Sequence, residues 1–241
     1  MLLAIVSDIH ANLEALDTVL ADLDRRRPDA VVCLGDFVGY GASPNACIEQ
    51  LRPRIEAAVM GNHDDAAIGR TALEGFNHEA AHAARWTAEQ LTPEHHAYLG
   101  ALPMVIRWRG AHVVHASPSE PEAWHYVLSP AEADFEMRCY EGALCFVGHS
   151  HYPGTFTSDG TRSLYTRQPR IVMEPGSRYL VNVGSVGQPR DGDPRATYLM
   201  WDDAARVLEH IRLEYDVESA ARRIRDAGLP AFLAERLRWG E

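Results

Sequence analysis

Leu2-Leu3-Ala4-Ile5-Val6-Ser7-Asp8-Ile9-His10 decides the reading of this chain: an apolar, branched run that stops at a carboxylate and an imidazole two residues apart. Such a run has strand character, and Asp8 and His10 at its end are costly to bury unless something there binds them. A hard oxygen and an imidazole nitrogen at i and i+2 converge on one point when the backbone is extended or turning, which makes both residues candidate metal ligands. For this short pattern alone, a solvated strand end is the commoner outcome. Later strand ends shift the balance.

A helix follows, with Asn12 as its N-cap, Leu13, Leu16, Leu20 and Leu23 on one face, and Arg25-Arg26-Arg27 at its negative end. Ala30-Val31-Val32-Cys33-Leu34 then reads as a buried strand ending in Gly35-Asp36, so strand, helix and strand make a βαβ unit with its site at the carboxyl edge of the sheet. Three glycines in Gly35–Gly41 allow a tight loop, and Ser43-Pro44 starts a second helix with Ser43 as cap. A third strand over Ile55–Met60 ends in Gly61-Asn62-His63-Asp64. Farther on, the hairpin Met104–Trp108 and Ala111–His115 places His115 at a strand end, and Ser129-Pro130-Ala131-Glu132 is a capping box. Leu144-Cys145-Phe146-Val147 finally runs into Gly148-His149-Ser150-His151, repeating the spacing of Asp8 and His10. Surface composition alone does not produce this repetition.

Residues from Thr71 to about Leu102 read as a helical pair, its second helix starting at Thr92-Pro93, packed against the sheet where it can wall the site. His78, His82, His95 and His96 there read as exposed or partly packed helix residues. Short strands at Gly154–Phe156, Ser163–Tyr165, Tyr179–Val183, Thr197–Trp201 and Val207–Leu213 predict a second sheet packed on the first. Between two of them, Asn182–Arg190 is too glycine-rich for a strand and reads as a loop near the site. Helices over Glu218–Ala227 and Pro230–Trp239 end the chain, and the apolar faces that carry Leu229, Phe232, Leu233 and Leu237 suit a homo-oligomer or the core equally. With no repeat, low-complexity segment or linker, residues 1–241 read as one domain with a helical insertion at about 71–102.

Composition sets the outer limits. A chain of 241 residues buries roughly 70–75% of its unfolded surface, so neither disulfide nor metal is needed merely to fold it. A formal net charge of -11 argues against a broad nucleic-acid or lipid-binding surface. A locally cationic site remains compatible with it, and divalent metals create one. Cys33, Cys47, Cys139 and Cys145 form no C-x-x-C pair, and three sit among apolar neighbours, as reduced thiols of a cytoplasmic protein do. No signal-peptide core and no membrane span is visible. Twelve histidines are many for such a chain.

The ordered set Asp8-x-His10, Gly35-Asp36, Gly61-Asn62-His63-Asp64, His115 and Gly148-His149-Ser150-His151 resembles the calcineurin-like metallophosphoesterases, and Gly184–Arg190 is similar to the corresponding stretch of small bacterial members. The resemblance covers nearly the whole chain. It implies an α/β fold, a four-layer αββα sandwich of two mixed sheets, with the site at the strand ends. It also implies that Asp8, His10 and His151 hold one metal, that Asn62, His115 and His149 hold the other, and that Asp36 bridges them. Two cations about 3.5–4 Å apart neutralise a phosphate ester and ionise a bridging water for attack. Mixed nitrogen and oxygen donors suit Mn, Fe, Zn, Co or Ni, with Mn the first choice in vitro.

His63, directly after a ligand, is implied to be catalytic, assisting the leaving group; Asp64 either orients it or caps the next helix. The protein Ser/Thr phosphatases of this superfamily carry Asp-Arg where Gly39-Tyr40 stands here, which argues against a protein substrate. Tyr40 and the cluster Trp124-His125-Tyr126 are candidates for stacking on a base or aryl group, with rim packing the slightly better reading, and Arg190 is a candidate phosphate contact. The expected function is therefore dimetal hydrolysis of a phosphodiester or phosphomonoester of a small molecule, such as a nucleotide. The alternatives are a protein phosphatase or nuclease and, less favoured, a non-catalytic metal-binding scaffold.

Overall fold

In the computed structural model, which describes residues 1–241, two six-stranded mixed sheets lie face to face with helices on both outer surfaces. The strands are β1 (Leu2–Val6), β2 (Ala30–Cys33), β3 (Ala57–Ala58), β4 (Val105–Trp108), β5 (Ala111–Val114) and β6 (Leu144–Val147), followed by β7 (Gly154–Ser158), β8 (Ser163–Thr166), β9 (Arg170–Val172), β10 (Arg178–Asn182), β11 (Ala196–Asp202) and β12 (Val207–Leu213). One sheet runs β3-β2-β1-β11-β12-β9 and the other β4-β5-β6-β10-β7-β8.

The alternation of side chains along each strand generates the layers. Leu3 and Ile5 of β1 point between the sheets, into a core with Val32, Val113, Phe146 and Val181. Ala4 and Val6 point outward to helix α1 (Leu13–Arg26) and helix α2 (Pro44–Leu51), meeting Leu16, Leu20 and Ile48. On the opposite face Cys145, Val147 and Leu180 pack on Ala133 and Met137, within and just after a helix over Pro130–Glu136 whose N-terminus is the expected capping box at Ser129 and Glu132. β1 and β2 are parallel, with Ile5 opposite Val32, as a βαβ unit requires.

The later strands do not form a separate second sheet. β11 inserts antiparallel beside β1, with Ile5 opposite Leu199, and carries β12 and β9 with it, whereas β7, β8 and β10 join β4, β5 and β6. A strand as buried as β1 must satisfy both of its edges, and β11, buried along six of its seven residues, is suited to a central position. β9 had no signal in the sequence, being a short edge strand of mixed exposure. The third strand shrinks from Ile55–Met60 to two residues because Met60 N donates to Pro103 O and the chain leaves the sheet before Gly61.

Ser43 stands at the N-cap of α2 but makes no side-chain cap bond. The expected helical pair is present at His78–Gln90 and Pro93–Gly100. Of its histidines, His95 departs from the expectation: it is buried, with Nδ1 2.7 Å from Asn45 Oδ1 of α2. Leu229, Leu233 and Leu237 are buried together with Ala220 and Ile224, while Phe232 is half exposed. Cys33, Cys47 and Cys145 are buried free thiols and Cys139 is exposed. No helix is long and apolar enough to cross a membrane.

Asn12 joins this frame to the site. Its Oδ1 accepts from Ala15 N at 3.1 Å to cap α1, and its Nδ2 donates to Gly187 O at 2.8 Å. Asn12→Ala is expected to cost about 1–2 kcal/mol. Calorimetry should show Tm falling by roughly 2–8 °C, and an unchanged Tm would remove this role.

Candidate metal centre

Beyond the ends of β1, β2 and β6 the chain turns through left-handed backbone that non-glycine residues seldom adopt. Asp8, His10, Asp36, Tyr40, His149 and His151 all have φ between 49° and 63°. Each such residue costs about 1–3 kcal/mol, and such strain gathers where function over-determines the conformation. The surrounding loops hold it in place: Asp8 N donates to Gly35 O at 3.1 Å, His10 N to Asp36 O at 2.9 Å, and Gly187 N to Asp8 O at 2.9 Å. The glycine-rich loop after β10 is thus at the site, and Ser185 Oγ also donates to Asp8 O at 2.9 Å.

Space demands several of the glycines around the site. A Cβ on Gly61 would overlap Asp36 Oδ1 and the Asp36 backbone nitrogen, and one on Gly148 would overlap Ser7 Oγ and Asp8 Oδ2.

Donor atoms of Asp8, His10, Asp36 and His151 all lie within 4.8 Å of one another, and all four residues are buried. His151 Nε2 is 3.2 Å from Asp8 Oδ1. Asp36 Oδ2 lies 3.5 Å from His10 Nε2 and 3.3 Å from His115 Nε2, so it stands between two groups of donors. In the second group, Asn62 Oδ1 is 3.2 Å from His115 Nε2 and 3.0 Å from His149 Nδ1. All seven candidate ligands from the sequence are therefore brought to one buried cluster.

The arrangement of lone pairs suits cations. Nδ1 of His10, His115 and His151 donates to the carbonyls of Val38 at 3.1 Å, Leu34 at 2.7 Å and Gln188 at 2.5 Å. In a neutral ring this assigns the lone pair to Nε2. His10 Nε2 and His151 Nε2 then face each other at 3.0 Å as two acceptors, which is unfavourable unless positive charge sits between them. Asp36 Oδ2 and His149 Nε2 are buried without any hydrogen-bond partner. Oxygen and nitrogen donors with second-sphere carbonyls fixing the tautomer are what a divalent metal site requires.

The protonation states agree. Burial would raise Asp8, but His151 and His115 overcome it and hold the carboxyl below its usual range. Burial likewise opposes the ionised form of Asp36, which His115, His63 and His10 keep well below the ordinary value. Burial lowers His10, His149 and His151, with His149 at about 3. His115 alone is raised: burial pushes it down, but Asp36 and Asp8 lift it to about 9. Ionised carboxylates and mostly neutral imidazoles are the ligand-competent forms.

The remaining candidates fall into place around the cluster. His63 packs against Tyr40 with ring centroids at 4.3 Å and against Phe76 at 5.1 Å, and burial holds it down at about 4. Its backbone nitrogen donates to Asp36 Oδ1 at 2.8 Å. Asp64 accepts from Gly61 N and Val38 N, both at 3.2 Å, so it caps the helix at Asn62–Ala67 and leaves His63 to other neighbours. Tyr40 is buried, and its hydroxyl accepts from Arg190 Nη2 at 3.3 Å. Tyr126 stacks on His149 at 4.2 Å and Trp124 meets His115 edge-on at 5.9 Å. His125 turns away, with its Nε2 3.1 Å from Glu120 Oε2 on the surface.

Phe76 and the Gln188 carbonyl were not singled out from the sequence; only the glycines around Gln188 pointed to its loop. A cavity of about 460 Å³, lined by Tyr40, His63, Phe76, Trp124 and Tyr126 among others, opens over the cluster.

Residues 1–205 match the family model of the calcineurin-like phosphoesterase superfamily domain. The chain belongs to that superfamily. It is 41% identical over 240 residues to an uncharacterized protein of Methanocaldococcus jannaschii, covering 98% of this chain and 97% of that one. A crystal structure of a metallophosphoesterase from Sphaerobacter thermophilus superposes with a TM-score of 0.89 at 40% identity, covering 100% of this chain and 99% of the other. A hypothetical protein from Pyrococcus horikoshii shares the fold, with a TM-score of 0.82 at 20% identity and coverage of 100% and 98%. The buried Asp8, His10, Asp36 and His151 are the candidate metal site of this superfamily member.

Proposed function

We propose that the chain hydrolyses phosphoric esters of small molecules with a pair of divalent transition-metal ions. The observation that carries this reading is the buried Asp36 Oδ2, which stands between the Nε2 atoms of His10 at 3.5 Å and His115 at 3.3 Å and so between the two groups of donors. Asp8, His10 and His151 would hold one ion, Asn62, His115 and His149 the other, and Asp36 both. When bound, such ions supply Lewis acidity toward the phosphoryl oxygens and an acidified water. The donor set favours Mn, Fe, Zn, Co or Ni, and Mn is the ion for a first assay.

The chain's own groups do the rest. His63 is positioned between Tyr40 and Phe76 on the cavity wall, where its ring would donate to the phosphoryl or leaving oxygen. Burial keeps it neutral, and the negative charge of an arriving phosphate favours its protonated form. Arg190 has no carboxylate partner; it donates to Gln188 Oε1 at 3.0 Å and to the Tyr40 hydroxyl, and it would grip a phosphoryl oxygen. The aromatic walls of the cavity suit an aryl or nucleobase leaving group rather than a polypeptide.

Turnover of bis-p-nitrophenyl phosphate and p-nitrophenyl phosphate with each metal tests the reading. Inert wild-type protein with Mn, Fe, Zn, Co and Ni alike would refute it. His63→Ala should lower kcat by about 10²-fold with KM little changed.

A further inference from the structure

Alongside the metal centre, the second sheet carries a hollow of about 340 Å³ lined by Val127, Leu128, Ser150, Tyr152, Tyr165 and Arg167, with Phe156 beneath. Two of its lining residues are chain neighbours of the centre: Ser150 stands between His149 and His151, and Val127 follows Tyr126, whose ring stacks on His149. Tyr152 and Tyr165 are 43% and 39% exposed there. Arg167 also lines a neighbouring cavity of about 270 Å³ whose wall is entirely polar or proline, with Arg195, Arg212 and His210.

The three guanidinium groups of that wall pair with two carboxylates. Arg167 and Arg212 both pair with Asp191, while Asp193 takes Arg195 at 2.6 Å and Arg212 at 3.4 Å. Glu214 lines a different hollow bordered by Arg195. Donors are left over: Arg167 commits only Nη2, Arg195 only Nε and Nη2, and Arg212 only its two terminal nitrogens. A staple between the sheets explains Asp191, whose side chain is 1% exposed, and Arg212, which is 20% exposed. It does not explain Arg167 and Arg195, which are 50% and 45% exposed on the cavity wall. Uncommitted guanidinium donors converging in a chain of net charge -11 mark a place for an anion.

We propose that this arginine cavity binds a second, distal phosphate of the substrate, whose flat organic part lies over Tyr152 and Tyr165 between the metal centre and Arg167. The inference rests on the phosphoesterase reading above and narrows it to phosphoesters that carry a further phosphate across an aryl or nucleoside unit.

The probes are thymidine 5′-(p-nitrophenyl phosphate) and the same compound bearing a 3′-phosphate. In wild type the added phosphate is expected to lower KM by about tenfold. Arg167→Ala/Arg195→Ala should abolish that gain while leaving KM for the unphosphorylated probe unchanged. Arg167→Gln alone serves if the double variant lowers Tm. In parallel, calorimetric titration of thymidine 3′,5′-bisphosphate into chelator-treated protein should show binding that weakens in the arginine variants. Turnover of both probes with equal KM, or bisphosphate binding indifferent to both arginines, overturns the proposal. If neither probe is hydrolysed but bisphosphate binding still depends on Arg167 and Arg195, the anion site stands and the phosphoesterase reading fails.

Discussion

Replacing Asp36 by Asn is expected to lower kcat/KM for bis-p-nitrophenyl phosphate by about 10⁴, equivalent to ~5.5 kcal/mol of transition-state stabilisation, and to empty both metal positions. The substitution is isosteric, and the retained oxygen still accepts from His63 N as Asp36 Oδ1 does at 2.8 Å. At the Oδ2 position, however, an amide N–H replaces an anion. It satisfies the facing Nε2 lone pairs of His10 and His115 by hydrogen bonding, so the fold persists while the charge that draws two cations is gone. Asp8→Asn is the contrast. Asp8 meets His151 at 3.2 Å, but its contacts with His10 at 3.8 Å and His115 at 3.9 Å are longer, so occupancy of one position should fall and the other remain. Elemental analysis of dialysed protein beside activity decides it. Full metal content in Asp36→Asn would remove the bridging role.

Gly61→Ala should be strongly damaging for so small a substitution. Gly61 has φ of -100°, which alanine tolerates, so the cost comes from space alone. The new Cβ would stand 2.7 Å from the Asp36 carboxyl carbon and closer still to Oδ1 and the Asp36 backbone nitrogen. Neither can retreat, because Asp36 is held in left-handed backbone and its carbonyl accepts from His10 N. Overpacking of this kind costs about 3 kcal/mol, and Tm should fall by roughly 6–12 °C together with metal binding. Gly75→Ala, where a Cβ meets nothing within 4 Å, is the control and should change stability by less than about 0.5 kcal/mol. Equal Tm for the two variants would show that the contact between Gly61 and Asp36 is not tight in solution.

Local rules made much of this molecule legible. Asn12 caps α1 and Ser129 with Glu132 forms a capping box because such caps depend on residues within one turn. Ser43 shows the limit of the same rule, since its place was right and its hydrogen bond is absent. The histidines over 71–102 show another: helical spacing cannot tell His95, buried through Asn45 of a distant helix, from exposed His96.

By itself, then, the sequence determined that apolar strands end repeatedly in Asp, Asn and His, and that the family is the metallophosphoesterases, because strand character, turn glycines and caps are local properties. Only the tertiary structure decided that β11 completes the first sheet beside β1, and that Asp8, His10, Asp36, His149 and His151 reach one cluster through left-handed backbone. The physical reason is the same in both cases. Strand pairing and backbone strain are settled by partners far away in the chain, such as Gly35, Leu199 and the Gly184–Gln188 loop, and their contributions exist only once the sheets have closed on one another.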